Sequence, residues 1–132
     1  MRRIRELLGD ERGSSPVEFV LVGTLLTFLT FAVLQLALAI YVRNVVHDAA
    51  VEGAFHAALA DTSLEQGAER TRAIVTRAVG AEYASDITVT DAGTADRPQV
   101  EVTVRTTLPL VGLLGVPRML EVTAHAPAES FD

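Results

Sequence analysis

The sequence predicts an α+β protein with one long N-terminal helix, a short second helix and a three-stranded antiparallel sheet. Three observations predict this order. An apolar run without charged side chains extends from Phe19 to Val42. Hydrophobic positions then follow helical spacing as far as Gly80, and beyond Gly80 they alternate one by one. The change of period separates a helical half from a strand half.

The apolar run is long enough to span a bilayer. A helix over its 24 residues is roughly 36 Å long, and a hydrocarbon core is about 30 Å thick. Basic residues favour the cytoplasmic side of a span. Only Arg43 follows the run closely, whereas four arginines precede it: Arg2, Arg3, Arg5 and Arg12. We therefore predict a cytoplasmic leader over 1–13, a membrane helix over 14–42 and an extracytoplasmic domain over 43–132.

The junction between leader and span has the chemistry of a helix start. Ser15 is a suitable N-cap, Pro16 a suitable first helical residue and Glu18 its capping-box partner. A carboxylate at the edge of a span also commonly marks a partner. Gly13 offers a flexible site at which a membrane protease could cut. Cleavage there would make Ser14 the new N-terminus, with a free amine that a neighbouring subunit's carboxylate can pair with.

The stretch Gly13-Ser-Ser-Pro-Val-Glu-Phe19, followed by the long apolar helix, resembles the class III signal of type IV prepilins and pseudopilins. With Arg12 in front, and with strands around an apolar proline-containing loop near the end, the chain is similar to TadE-like proteins. These are pilin-like minor pseudopilins of tight-adherence (Tad) pilus systems. The resemblance implies cleavage after Gly13 by a prepilin peptidase and subunit assembly guided by Glu18, with Phe19 completing the motif.

The same resemblance implies the partners and the location. The partners are the prepilin peptidase, the major pilin and other minor pseudopilins. The N-terminal helix would contact the pilins within membrane lipid. The location is the bacterial cytoplasmic membrane, crossed once, with incorporation into an extracellular pilus left open. The role implied is structural, without catalysis.

Two other interpretations of the N-terminal region are kept. In the first interpretation, the chain is an uncleaved, membrane-anchored module whose outer domain binds a partner in the cell envelope. Alternatively, Ala37-Leu38-Ala39 is a signal-peptidase site, and cleavage would release a protein that starts at Ile40. The second interpretation is disfavoured because the preceding apolar region is longer than the usual 7–15 residues.

Polar residues within the span have two interpretations as well. Gly23 and Thr27 form a small-xxx-small pair that permits close helix packing. Alternatively, the hydroxyls of Thr24, Thr27 and Thr30 bond to carbonyls of their own helix, as threonines in spans commonly do. Gln35 is the better candidate for an interhelical contact.

Beyond the span the helix is expected to continue to about Ala60, with strictly separated faces. Its polar stripe comprises Asn44, Asp48, Glu52 and His56, and its narrow apolar face comprises Val42, Val46, Ala49, Gly53 and Ala57. Carboxylates and a histidine at this spacing are compatible with a metal site, but a solvated helix face with ordinary pairs explains them. We therefore predict no metal and no acid–base site.

The second helix is signalled by a capping box of Ser63 and Gln66. It should run from Leu64 to about Val79 and end at Gly80. Its buried side is predicted to comprise Leu64, Ala68, Thr71, Val75 and Ala78, and its exposed side Glu65, Glu69, Arg72 and Arg77.

Alternating residues then predict strands over about 86–91, 99–106 and 119–126. A turn or loop over 91–97 joins the first two strands. Residues 108–117 are apolar, with proline near both ends, and are either a loop folded over the core or an exposed docking patch.

Composition excludes several classes of function. The net charge of −6 disfavours nucleic-acid binding, which requires a basic surface. The absence of cysteine excludes disulfides, thiolate metal sites and cysteine nucleophiles. No phosphate-binding glycine loop or nucleophile elbow is present, so we expect neither an enzyme, a cofactor nor a small-molecule substrate.

Overall fold

The computed structural model describes residues 14–107 and 120–129. It contains helix α1 (Ser14–Ala58), helix α2 (Leu64–Ala78), a 3₁₀ turn (Ala81–Ala84) and strands β1 (Asp86–Thr94), β2 (Arg97–Thr106) and β3 (Leu120–Pro127). The predicted α+β class is confirmed. The contacts divide the chain after Leu36, and the parts on either side are described separately.

Helix α1 is continuous over 45 residues, as the uninterrupted pattern predicted. It includes Ser15, so the expectation that Ser15 is the N-cap of a helix starting at Pro16 is wrong. At the other end α1 stops at Ala58, two residues before the predicted Ala60. The Thr62 hydroxyl donates to Leu59 O at 2.9 Å and also bonds to His56 O, which satisfies carbonyls at the end of the helix.

Helix α2 begins with the predicted capping box. Gln66 N donates to Ser63 Oγ at 3.2 Å, and Ser63 N donates to Gln66 Oε1 at 2.8 Å. The helix ends at Ala78, and Gly80 adopts φ +124°, a conformation that glycine tolerates best. Ala78 is exposed, contrary to the predicted buried face, and Leu64 and Ala68 are half-buried. The buried residues of α2 are Gly67, Thr71 and Val75.

The three strands form an antiparallel sheet in the order β1-β2-β3. Strand β1 continues to Thr94, which pairs with Arg97, so a two-residue turn replaces the loop predicted over 91–97. Gly93 next to this turn has φ +99°, and a Cβ there would lie 2.2 Å from Arg97 O. Only glycine fits such a site without strain.

The core lies between one face of the sheet and the small-residue face of α1. All five residues predicted for that face are buried in α1, together with Ala50, Ala54 and Ala58. The sheet contributes alternate residues of β2 and β3: Val100, Val102, Val104, Leu120, Val122, Ala124 and Ala126. Because alanine and glycine leave the helix narrow, short valine side chains suffice to fill the space against the sheet.

The opposite face of the sheet has cross-strand polar pairs. Arg105 Nε donates to Glu121 Oε2 at 2.8 Å, and the Thr103 and Thr123 hydroxyls are 3.3 Å apart. His125 Nδ1 lies 3.6 Å from Glu101 Oε2. The residues of each pair are directly opposite in the β2–β3 register, as expected for a solvated sheet face. The apolar segment 108–117 lies outside the described residues, so its two interpretations stay open.

Candidate functional site

The residues predicted to be processed lie at the edge of the described chain. Gly13 is outside the described residues, and Ser14 is the first residue of α1. Cleavage between them therefore stays a prediction. Residues Ala37–Ala39, the alternative signal-peptidase site, are helical and lie within α1, whose helix continues without interruption on both sides of them.

Glu18 and Phe19 are both exposed in the second turn of α1. Phe19 is 80% exposed, and no described part of the chain covers it. The Glu18 carboxylate likewise faces outward from the helix surface. The two side chains predicted to act in assembly are thus accessible to another molecule.

The surface of α1 that follows Glu18 is almost entirely apolar and almost entirely exposed. Large side chains from Val17 to Leu36 are at least 55% exposed, which contrasts with the buried valines of α1 after Tyr41. In water this area would be unfavourable by about 25 cal/mol for each Å². α1 is long and apolar enough to cross a membrane, and it is the one such helix found in the described residues. A single N-terminal apolar helix fits a single-pass membrane protein.

The threonine hydroxyls of this apolar surface form their hydrogen bonds within α1. The hydroxyls of Thr24, Thr27 and Thr30 donate to the carbonyls of Val20, Gly23 and Leu26 at 2.7, 2.8 and 2.8 Å. These distances match the second interpretation, in which each hydroxyl bonds to a carbonyl of its own helix. A Cβ on Gly23 would meet no atom within 4 Å, so the groove beside it is open. The interhelical role predicted for Gln35 stays a prediction.

The polar stripe further along α1 is a solvated helix face. Asn44, Asp48 and Glu52 are exposed and His56 is half-buried. Arg70 of α2 donates to Glu52 Oε1 at 2.6 Å, which is an ion pair that the sequence analysis did not predict. Within 14–107 and 120–129 no group of three or more histidine, aspartate or glutamate side chains is arranged to hold a metal ion.

Two exposed apolar residues, one in α1 and one directly after its end, were missed by the sequence analysis. Phe55 and Leu59 are 56% and 41% exposed, although they lie well beyond the predicted span. Phe55 follows Val51 by four residues, on a different side of the helix from the small-residue face, and Leu59 follows Phe55 by four more. That spacing was the signal that could have revealed them.

The N-terminal segment matches a known family. The family model described as TadE-like protein matches residues 13–54, which include the junction, the apolar surface and most of the polar stripe. This segment of the chain is similar to TadE-like proteins. The match confirms the resemblance predicted from the motif around Gly13 and Glu18. Neither the curated proteins nor the solved structures contain a match to the chain.

Proposed function

We propose that this TadE-like chain is a minor pseudopilin of a Tad pilus or secretion apparatus, cleaved after Gly13 and assembled through α1. The observation that carries the proposal is the exposed Glu18 at the start of an exposed apolar helix surface, inside the segment that matches the family. A helix buried in its own domain would have neither feature.

The proposed mechanism is structural. A prepilin peptidase removes residues 1–13 on the cytoplasmic side, and Ser14 becomes the N-terminal residue. The apolar surface of α1, which no described part of the chain covers, packs with pilin helices in the membrane. Glu18 pairs with the N-terminal amine of a neighbouring subunit, because a carboxylate in an apolar layer is costly unless it is paired. The extracytoplasmic domain then caps, primes or nucleates the assembly.

The orientation proposed for the chain rests on its charges. Four arginines precede the apolar run and one follows it closely, which favours a cytoplasmic N-terminus. The peptidase site and the domain after Val42 are then on opposite sides of the membrane. Prepilin peptidase, the major pilin and other minor pseudopilins are the proposed partners.

The deciding experiment is the intact mass of the protein from its native membrane, in cells with and without the prepilin peptidase. A mass that begins at Ser14, and that becomes full length without the peptidase, supports the proposal. Gly13→Leu should abolish processing, whereas Thr24→Val is the matched control and should be processed normally. A full-length mass in both strains would make the chain an uncleaved anchor, and a chain that begins at Ile40 would make it a secreted protein.

The role of Glu18 has a separate test. Glu18→Ala should leave membrane insertion and cleavage intact and reduce pilus formation strongly, because the neighbouring amine then has no partner. Pilus number is counted by electron microscopy in a strain that carries the variant as its single copy. Normal piliation would refute the proposed role of Glu18, even if cleavage after Gly13 is observed.

A further inference from the structure

The end of α1 and the residue that follows it present an exposed apolar ridge, formed by Val51 and Phe55 of α1 and by Leu59. Phe55 is 56% exposed and Leu59 41%, and Val51 is half-buried. Within the part of the chain that the structure describes, Phe55 and Leu59 are the large apolar side chains exposed after Tyr41. An exposed apolar group of this kind, next to a core of fully buried valines, is typical of an interaction surface.

The dimensions of the apolar ridge suit a helix. Val51 and Phe55 are about one helical turn apart in α1, and Leu59 follows directly after the helix ends at Ala58. On one side the ridge borders a shallow depression lined by Ala58, Pro127 and Ala128. Glu129 N donates to Ala58 O at 2.9 Å, which fixes the chain after β3 beside the ridge. A second helix that packs along the ridge would contact both the ridge and the chain after β3.

Carboxylates surround the apolar ridge. Asp48 lies about two turns before Phe55, and Glu129 lies at the opposite end, beside Ala58. Neither side chain forms an ion pair within the described residues. Glu52, next to Phe55 on the helix, is bonded to Arg70. The ridge therefore has a carboxylate without an ion pair in the described residues near each end, while Glu52 and the half-buried His56 lie beside its middle.

We propose that the apolar ridge docks an amphipathic helix of a different protein, with apolar side chains over two turns and lysine or arginine near both ends. Charge complementarity selects this occupant. A second copy, parallel or antiparallel, would bring carboxylates against carboxylates, and like charges disfavour a wrong partner. The described outer domain, 43–107 and 120–129, has 12 carboxylates and six arginines, so an anionic lipid surface would be repelled as well. This partner is additional to the proposed pilin contacts within the membrane.

The first test uses designed peptides and the full-length chain in nanodiscs of zwitterionic lipid. One peptide is a helix of about five turns with a leucine stripe and arginine at both ends. The other has glutamate in place of each arginine. Binding is measured by fluorescence anisotropy of labelled peptide. The arginine peptide should bind about tenfold more tightly or better at low salt, with the preference declining as salt rises.

Variants locate the binding to the ridge. Phe55→Ala should weaken binding of the arginine peptide about tenfold, without changing the melting temperature, because Phe55 is already largely exposed. Thr76→Ala, on the exposed side of α2, is the control and should bind as the unmodified chain does. Asp48→Asn combined with Glu129→Gln should remove the preference between peptides. Equal binding of the two peptides, or unchanged affinity in Phe55→Ala, would overturn the proposal.

A second test identifies the occupant in native cells. A photo-crosslinking amino acid replaces Phe55, and a control chain carries it in place of Thr76. An adduct specific to position 55, on a basic-ended amphipathic segment of another protein, supports the proposal. An adduct with a second copy or with lipid, or no adduct, contradicts it. The Gly13→Leu chain should bind the arginine peptide unchanged, so failure of the processing proposal and failure of this one are distinguishable.

Discussion

Gly53 of α1 and Gly67 of α2 lie against each other where the two helices cross. A Cβ on Gly53 would be 1.8 Å from Thr71 Oγ1 and 2.8 Å from Gly67 O, and a Cβ on Gly67 would be 2.4 Å from the Cβ of Ala57 and 2.8 Å from Gly53 O. The two backbones approach so closely that neither position has room for a side chain. This contact holds the helical hairpin together and positions Thr71.

Gly53→Ala should destabilise the domain. The new methyl group must displace Thr71 or separate the helices, which typically costs about 1–3 kcal/mol. Alanine's higher helix propensity recovers at most about 1 kcal/mol, so the net change is a loss. Thermal unfolding of the full chain in detergent, followed by circular dichroism, measures it. Gly23→Ala is the control, because no atom lies near its Cβ. An unchanged melting temperature for Gly53→Ala would show that the helices can separate freely.

Thr71→Val should also destabilise the domain, through a lost hydrogen bond. Thr71 is fully buried, and its hydroxyl lies 3.2 Å from Ala49 O and 3.1 Å from Gly67 O. Valine keeps the shape and removes the donor, so a loss of about 0.5–1.5 kcal/mol is expected. Denaturant unfolding measures the free energy, with Thr76→Val at an exposed site of the same helix as the control. Equal stability of the two variants would assign no net contribution to the hydroxyl.

The two faces of the sheet should respond differently to substitution. Val104 is fully buried, so Val104→Ala should lower the free energy of unfolding by about 2 kcal/mol, from lost burial and a residual cavity. Glu121 on the other face pairs with Arg105, but the two side chains are 55% and 43% exposed. Glu121→Gln should therefore change the stability by less than about 1 kcal/mol. The same denaturant titration compares them, and a larger effect for Glu121→Gln would contradict this account.

Thr27→Val should have no effect on insertion or on pilus number. The Thr27 hydroxyl already donates to Gly23 O, so no partner helix is needed to satisfy it, and valine has nearly the same shape. Electron microscopy of piliated cells measures the outcome, with Glu18→Ala as the comparison expected to lose pili. Loss of pili in Thr27→Val would show that the hydroxyl bonds to another helix after assembly.

Most elements of the fold could be predicted from local sequence patterns. The capping box at Ser63 was predicted because both of its bonds form within four residues. The small-residue face of α1 was predicted because helical spacing places Val46, Ala49 and Gly53 on one side. Errors arose where a neighbour decided the outcome. Ala78 has helical spacing suited to burial, yet no described segment covers it, and β1 extends to Thr94 because β2 continues to pair with it.

For the candidate site, the sequence alone determined the motif around Gly13 and Glu18, the apolar length of α1 and the absence of cysteine chemistry. These depend on residue type and order, which folding does not change. The tertiary structure alone decided that Glu52 pairs with Arg70 and that Gly53 meets Gly67. Each of these depends on which surfaces of distant segments come together, and helical periodicity in one segment contains no information about its neighbour.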